Sequence, residues 1–152
     1  MIYFIIIITL IGGERVLLSK YKTHFDEYEI DISLTQNLSI LQGDSGVGKS
    51  LIYNVLNRDF LHGVFKFKCY FINYNMLKCR EIVNDILNSA VNSLIVIDNA
   101  NILLDYSQRR FISSDGRNQY VIISHNTDGF LIKDIKSIVY TRFKAGVIKV
   151  GR

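Results

Sequence analysis

The sequence predicts a single α/β domain over residues 1–152: a largely parallel sheet flanked by helices, entered through an N-terminal antiparallel β layer. Three observations carry that expectation. From Leu38 onward, short apolar runs alternate with amphipathic stretches of helical spacing. A glycine-rich loop, 43–50, lies between the first such run and the first such stretch. The region ahead of it has period-two patterning and turn signals instead.

Composition supports one core-forming domain. A chain of 152 residues, 49% hydrophobic and 21% charged, has the make-up of a globular protein, not a disordered one. Proline is absent and glycine modest, so no linker is expected.

Residues 2–10 are nearly all apolar, too few to span a bilayer as a helix, and rich in the residues that favour a buried strand. Contact with a membrane or a partner is the alternative. No charge precedes the run and no small-residue cleavage site follows it, which weighs against a signal peptide. Gly12-Gly13 marks a turn, and 15–19 can return as a hairpin partner. Residues 21–27 are polar with aromatics and read as loop. Tyr28, Ile30, Ile32 and Leu34 alternate with Glu29, Asp31 and Ser33, the pattern of a half-buried strand.

Residues 38–42 form a short apolar strand, and 50–57 a helix with Leu51, Ile52, Val55 and Leu56 on one face. A strand over 64–74 follows, alternating Phe65, Phe67 and Cys69 with Lys66 and Lys68. Residues 77–87 fit a helix, 93–98 an apolar strand ending in an acid, 100–111 a helix, and 119–125 an apolar strand ending in polar groups. Residues 135–141 and 146–150 read as a closing hairpin.

The chemistry centres on Gly43, Asp44, Ser45, Gly46, Val47, Gly48, Lys49 and Ser50, which match G-x-x-x-x-G-K-[ST]. Such a loop aims backbone N–H groups at an anion and opens a helix whose N-terminus carries partial positive charge. Lys49 would reach the terminal phosphates and the Ser50 hydroxyl would hold Mg²⁺; Leu51 completes the nucleotide-binding set. Asp98, after an apolar strand, is the candidate second oxygen ligand for Mg²⁺, or else it caps the next helix. Asn99 follows Asp98; an amide there can orient an attacking water but cannot take its proton. His125 can hydrogen-bond a γ-phosphate or that water, or it is a structural histidine at a strand end. Asn99 and His125 are therefore the catalytic candidates, with ATP and Mg²⁺ as the expected ligands.

The net charge is +4, and between Lys133 and Arg152 six basic residues face one acid, Asp134. They form either a patch for DNA or another polyanion, or a solvated sheet edge, where lysines also deter edge pairing; the edge is the simpler expectation. Cys69 and Cys79 have neither metal-ligand spacing nor the density of a disulfide scaffold, which points to a reduced, cytoplasmic protein.

Taken together, the phosphate loop, the strand ending at Asp98 and the strand ending at His125 resemble the P-loop NTPases, specifically a minimal ATP-binding-cassette (or AAA-like) ATPase. That resemblance implies a switch role for His125 and adenine stacking on Tyr21 or Phe25. It implies ATP hydrolysis, or an ATP-driven switch, acting with a protein partner or as a homo-oligomer. The chain departs from the family in three ways. The helical signature subdomain and its Leu-Ser-Gly-Gly are missing, Asn73 and Asn75 stand at the Gln-loop position, and Asn99 replaces the usual Glu. A non-hydrolysing, nucleotide-dependent binding module for DNA or protein is the alternative. A small kinase, with Arg109, Arg110 and Arg117 clamping phosphates, fits less well, as does an AAA-type arginine finger at Arg109 or Arg110. Asn126-Thr127-Asp128 does not supply the guanine motif of a GTPase.

Overall fold

A computed structural model describes residues 9–11, 14–42 and 48–152. Residues 2–8 of the strand expected over 2–10, the Gly12-Gly13 turn and loop residues Gly43, Asp44, Ser45, Gly46 and Val47 lie outside the described residues. Thr9–Ile11 (β1) pairs antiparallel with Glu14–Val16 (β2) as a small separate ribbon.

The remaining strands are Lys20–Phe25 (β3), Tyr28–Ser33 (β4), Leu38–Gln42 (β5), Lys68–Ile72 (β6), Ser93–Ile97 (β7), Gln119–Ile123 (β8), Ile138–Lys144 (β9) and Val147–Gly151 (β10). They form one eight-stranded sheet in the order β3-β4-β10-β9-β5-β8-β7-β6. The helices are Lys49–Leu61 (α1), Cys79–Ser89 (α2), the single-turn Ala100–Leu103 (α3) and Tyr106–Ser114 (α4).

This corrects the expected P-loop NTPase architecture of a largely parallel sheet flanked by helices with an antiparallel layer in front. The sheet is mixed and curled into a half-barrel, and the helices are few. The expected antiparallel strands ahead of the loop do not stand as a layer apart: β3 and β4 pair antiparallel, and β4 then joins β10 of the main sheet in parallel register, Ile30 opposite Ile148. The strands' own patterning explains it. In β3 and β4, Tyr21, Thr23, Ile30 and Ile32 are buried while Lys20, Lys22, His24 and Ser33 are exposed, so these strands have one apolar face and need cover on one side only. The strands β7 and β8 are buried at every position, and so require cover on both sides.

Two apolar clusters divide the molecule accordingly. On one face, α1 contributes Ile52, Val55 and Leu56 to a core that runs the width of the sheet, from Tyr21 and Ile32 to Leu94 and Val121. On the other face, α2, α3 and α4 cover only β5, β8, β7 and β6, through Val83, Leu103 and Ile112 against Ile40, Ile95 and Ile122.

Several boundaries also differ from expectation. Residues 21–27, expected as loop, are mostly strand, because the aromatic Tyr21 is buried and hydrogen-bonds Asp59 of α1. The strand expected over 64–74 contracts to β6: Phe65 turns in against the Tyr21 ring at 5.1 Å, and Phe67 stacks on Phe65 at 5.4 Å. The single helix expected over 100–111 is two, because Asp105 restarts it with a capping box. Its carboxylate accepts the Gln108 backbone N–H at 2.8 Å, and the Gln108 side chain accepts the Asp105 N–H at 2.9 Å. The basic strands β9 and β10 lie inside the sheet and not at its edge, which overturns the expectation of a solvated sheet edge there.

Candidate functional site

Parallel pairing sets the carboxyl ends of four strands side by side. Leu41 of β5 lies opposite Ile123 of β8, Ile97 of β7 opposite Ile122 of β8, and Ile72 of β6 opposite Ile97. The residues that follow, Gln42, Ser124, Asp98 and Asn73, therefore emerge along one rim, where ligands of such sheets sit. Gln42 reaches across that rim, its side-chain amide 3.5 Å from the Ser124 carbonyl.

The N-terminus of α1 faces the same rim. Gly48 adopts φ 88°, a left-handed conformation that costs a side-chain-bearing residue about 1–2 kcal/mol, and it turns the chain into the helix. No side chain caps α1 and no acid lies in its first turn. The partial positive charge of this helix end is directed at the rim and favours an anion there.

Lys49, Ser50, Asp98, Asn99, Asn101, Ile123, Ser124 and His125 line one cleft of about 50 Å³. The structure thus gathers five sequence-predicted residues, Lys49, Ser50, Asp98, Asn99 and His125, from three separate elements. Asp98 is buried, and its carboxylate accepts the Asn99 backbone N–H at 2.9 Å. Asn99 sits at φ 54°, ψ 40°, a left-handed conformation that Asn tolerates and Glu does not favour; its carbonyl accepts the N–H groups of Ile102 and Leu103. His125 is exposed at the mouth.

Ser124 and Asn101 were not foreseen. The Ser124 hydroxyl is buried and the Asn101 side-chain oxygen is buried, and neither has a hydrogen-bond partner among the described residues, although both line the cleft. Buried polar atoms are nearly always paired, so two orphans at one site point to a ligand that completes them. Tyr53 is a further neighbour. Burial raises its phenol pKa, the nearby Asp98 charge pushes the same way, and the Asn73 amide, 3.4 Å from its oxygen, partly opposes them. The apolar spacing of α1 marks Tyr53 as core and nothing in the sequence marks it as a site residue.

The donor set fits Mg²⁺ of one particular kind. Among the described residues no group of three or more His, Cys, Asp or Glu could cage a metal. Mg²⁺ ordinarily needs only one or two carboxylates, keeping its waters and taking phosphate oxygens for the rest. Ser50 and Asp98 on one cleft meet that requirement.

Other expected residues go elsewhere. Tyr21 is 1% exposed and donates to Asp59, so it is not an adenine platform; Phe25 packs against the core around α1, as does Leu51. Arg109 is spent on the carbonyls of Leu104, Asn101 and Asp128, and Arg117 on Asp115 and the Leu87 carbonyl, so both are engaged inside the fold, which weakens the phosphate-clamp alternative. Arg110 lies over the Tyr106 ring at 5.7 Å. Cys69 and Cys79 are unpaired, and burial pushes the Cys69 thiol up to about 12, leaving it inert. No described helix is long and apolar enough to cross a membrane.

No protein-family model matches the chain, and no curated protein matches it. The family resemblance therefore rests on its short motifs alone.

Proposed function

We propose that this cleft binds the phosphate end of ATP together with Mg²⁺, and that the protein is an ATPase, or an ATP-driven switch, acting with a partner. The observation that carries the reading is the convergence of Lys49, Ser50, Asp98 and His125 around a cleft whose buried Ser124 hydroxyl has no partner among the described residues. In this reading Lys49 and the amides of the phosphate loop neutralise the β- and γ-phosphates. Ser50 and Asp98 hold Mg²⁺, which supplies charge neutralisation between the phosphates. Ser124 and Asn101 complete their hydrogen bonding on the bound phosphate and its waters. His125 at the mouth contacts the γ-phosphate.

Size defines what the site takes. Ligand pockets for whole small molecules run to about 300–1,000 Å³, whereas the described residues enclose about 50 Å³. They form a site for phosphates, with base and ribose held by other groups. A protein partner or a second copy of the chain would serve, and a cytoplasmic location goes with that reading, supported by the two unpaired cysteines.

Hydrolysis requires water to attack the γ-phosphorus and to lose a proton as ADP departs. Asn99 orients that water but takes no proton. This observation favours a second reading, a nucleotide-dependent binding module with little turnover. Steady-state phosphate release from wild type, Asn99→Glu and His125→Ala separates the two. Wild-type turnover that falls at least about 100-fold in His125→Ala identifies an ATPase. Absent turnover with saturable Mg·ATP binding identifies the module. Failure of wild type to bind Mg·ATP rejects both.

A further inference from the structure

We infer that the uncovered face of β3, β4, β10 and β9 binds single-stranded nucleic acid. None of the described α-helices packs on this side, because α2, α3 and α4 end their cover at β5. Cross-strand register aligns Lys22, Asp31, Lys149 and Arg142 in one row, and Lys20, Ser33, Gly151 and Tyr140 in the next. Between them runs a groove of about 460 Å³ whose walls include Lys136, Tyr140, Arg142, Lys149 and Arg152. Its floor is kept low at Gly151, where a Cβ would stand 3.2 Å from the Ser33 carbonyl oxygen.

The charge is concentrated here. Seven basic residues (Lys20, Lys22, Lys136, Arg142, Lys144, Lys149, Arg152) share this face with two acids, Glu29 and Asp31. In the groove lining itself Lys136, Arg142, Lys149 and Arg152 stand against one acid, Asp31. Lys22 is the lysine that meets the two acids, at 3.8 and 3.9 Å. Among the described residues, Lys136, Arg142, Lys149 and Arg152 have no carboxylate partner. Arg152 is held in place by the carbonyls of Ile135 and Ile138.

A row of unneutralised cations along a groove matches a phosphate backbone. Tyr140 makes the choice of strand. Its ring lines the groove with the Arg142 guanidinium 5.7 Å above it, a platform for an unpaired base. A duplex keeps its bases stacked inside and has no use for such a ring.

Fluorescence anisotropy with a labelled 20-nucleotide oligothymidylate, and with a duplex of equal length, tests this. With four cations on phosphates, single-strand affinity should fall about 50-fold between 50 and 200 mM salt. Arg142→Ala/Lys149→Ala should weaken binding at least about 10-fold and flatten the salt slope by about half. Tyr140→Leu should weaken it about 5-fold or more with the slope unchanged. Lys49→Ala should leave it unaltered, which separates this surface from the nucleotide cleft. Wild-type affinity in the Arg142→Ala/Lys149→Ala variant, provided its unfolding midpoint is unchanged, would overturn the inference. So would duplex bound as tightly as single strand, or no binding of the oligonucleotide at 50 mM salt.

Discussion

The two halves of the sheet meet at β5 and are built to different rules. Strands β7 and β8 are buried at all five positions each and lie between α1 on one side and α2, α3 and α4 on the other. Strands β3, β4, β9 and β10 alternate, with one face on α1 and the other open. In the covered half a side chain is constrained by packing on both faces, and a large polar one is held by specific partners. Gln119, wholly buried in β8, accepts the Leu18 N–H at 2.7 Å and donates to the Leu18 carbonyl at 2.9 Å. In the open half the solvent face is released from packing, so charge can collect there. The difference separates the two candidate functions: chemistry at the strand ends of the covered half, binding across the face of the open half.

Substitutions can break this contrast. Ile122→Ala, in the covered half, should cost about 3–4 kcal/mol, read as a denaturant-midpoint shift with unchanged slope. Gln119→Ala should cost about 2–4 kcal/mol by orphaning both backbone groups of Leu18. Gly48→Ala, at the junction of loop and α1, should cost about 1–2 kcal/mol through its left-handed backbone, since the added Cβ would meet Ile148 only at ordinary contact distance, 3.6 Å. Lys149→Val, on the open face, should stay within about 0.5 kcal/mol. An Ile122→Ala cost as small as that of Lys149→Val would show that the two halves are not packed differently.

The pH dependence sharpens it. Burial first, then the hydrogen bond to a neighbouring carboxylate, raises the phenol of Tyr21 beside Asp59 and that of Tyr120 beside Asp115. A raised folded pKa means that this stability is complete below the unfolded value of about 10 and is lost as pH rises beyond it. Thermal midpoints should therefore fall above about pH 10, and less steeply in Tyr21→Phe. At the acid end, burial pushes Asp115 up, but hydrogen bonds from Arg117 and Tyr120 outweigh it and leave its pKa lowered. Its contribution is present above about pH 4 and lost below.

Much of this was legible in the chain. Period two in β4 and unbroken apolar runs in β7 and β8 announced which strands would be covered on one face and which on two. The loop motif, Asp98 and His125 were each found from what flanks them. The Asp105-x-x-Gln108 capping box was also written in the sequence, and it splits the helix that apolar spacing alone would draw as one. The joining of β4 to β10 was not legible, because register between distant strands leaves no local mark. Ser124 and Asn101 were hidden for a similar reason: an unpaired hydroxyl becomes informative only once its surroundings are known. Tyr21 misled because an aromatic in a polar stretch looks like loop until its partner, Asp59, is brought to it by α1.

The most direct test of the central claim is calorimetric titration of Mg·ATP into wild type and Lys49→Ala, with both shown to be folded by their unfolding midpoints. The geometry predicts saturable binding in wild type and its loss, by at least about 100-fold in Kd, when the cation at the head of α1 is removed. Equal Mg·ATP affinity in the two proteins would contradict it.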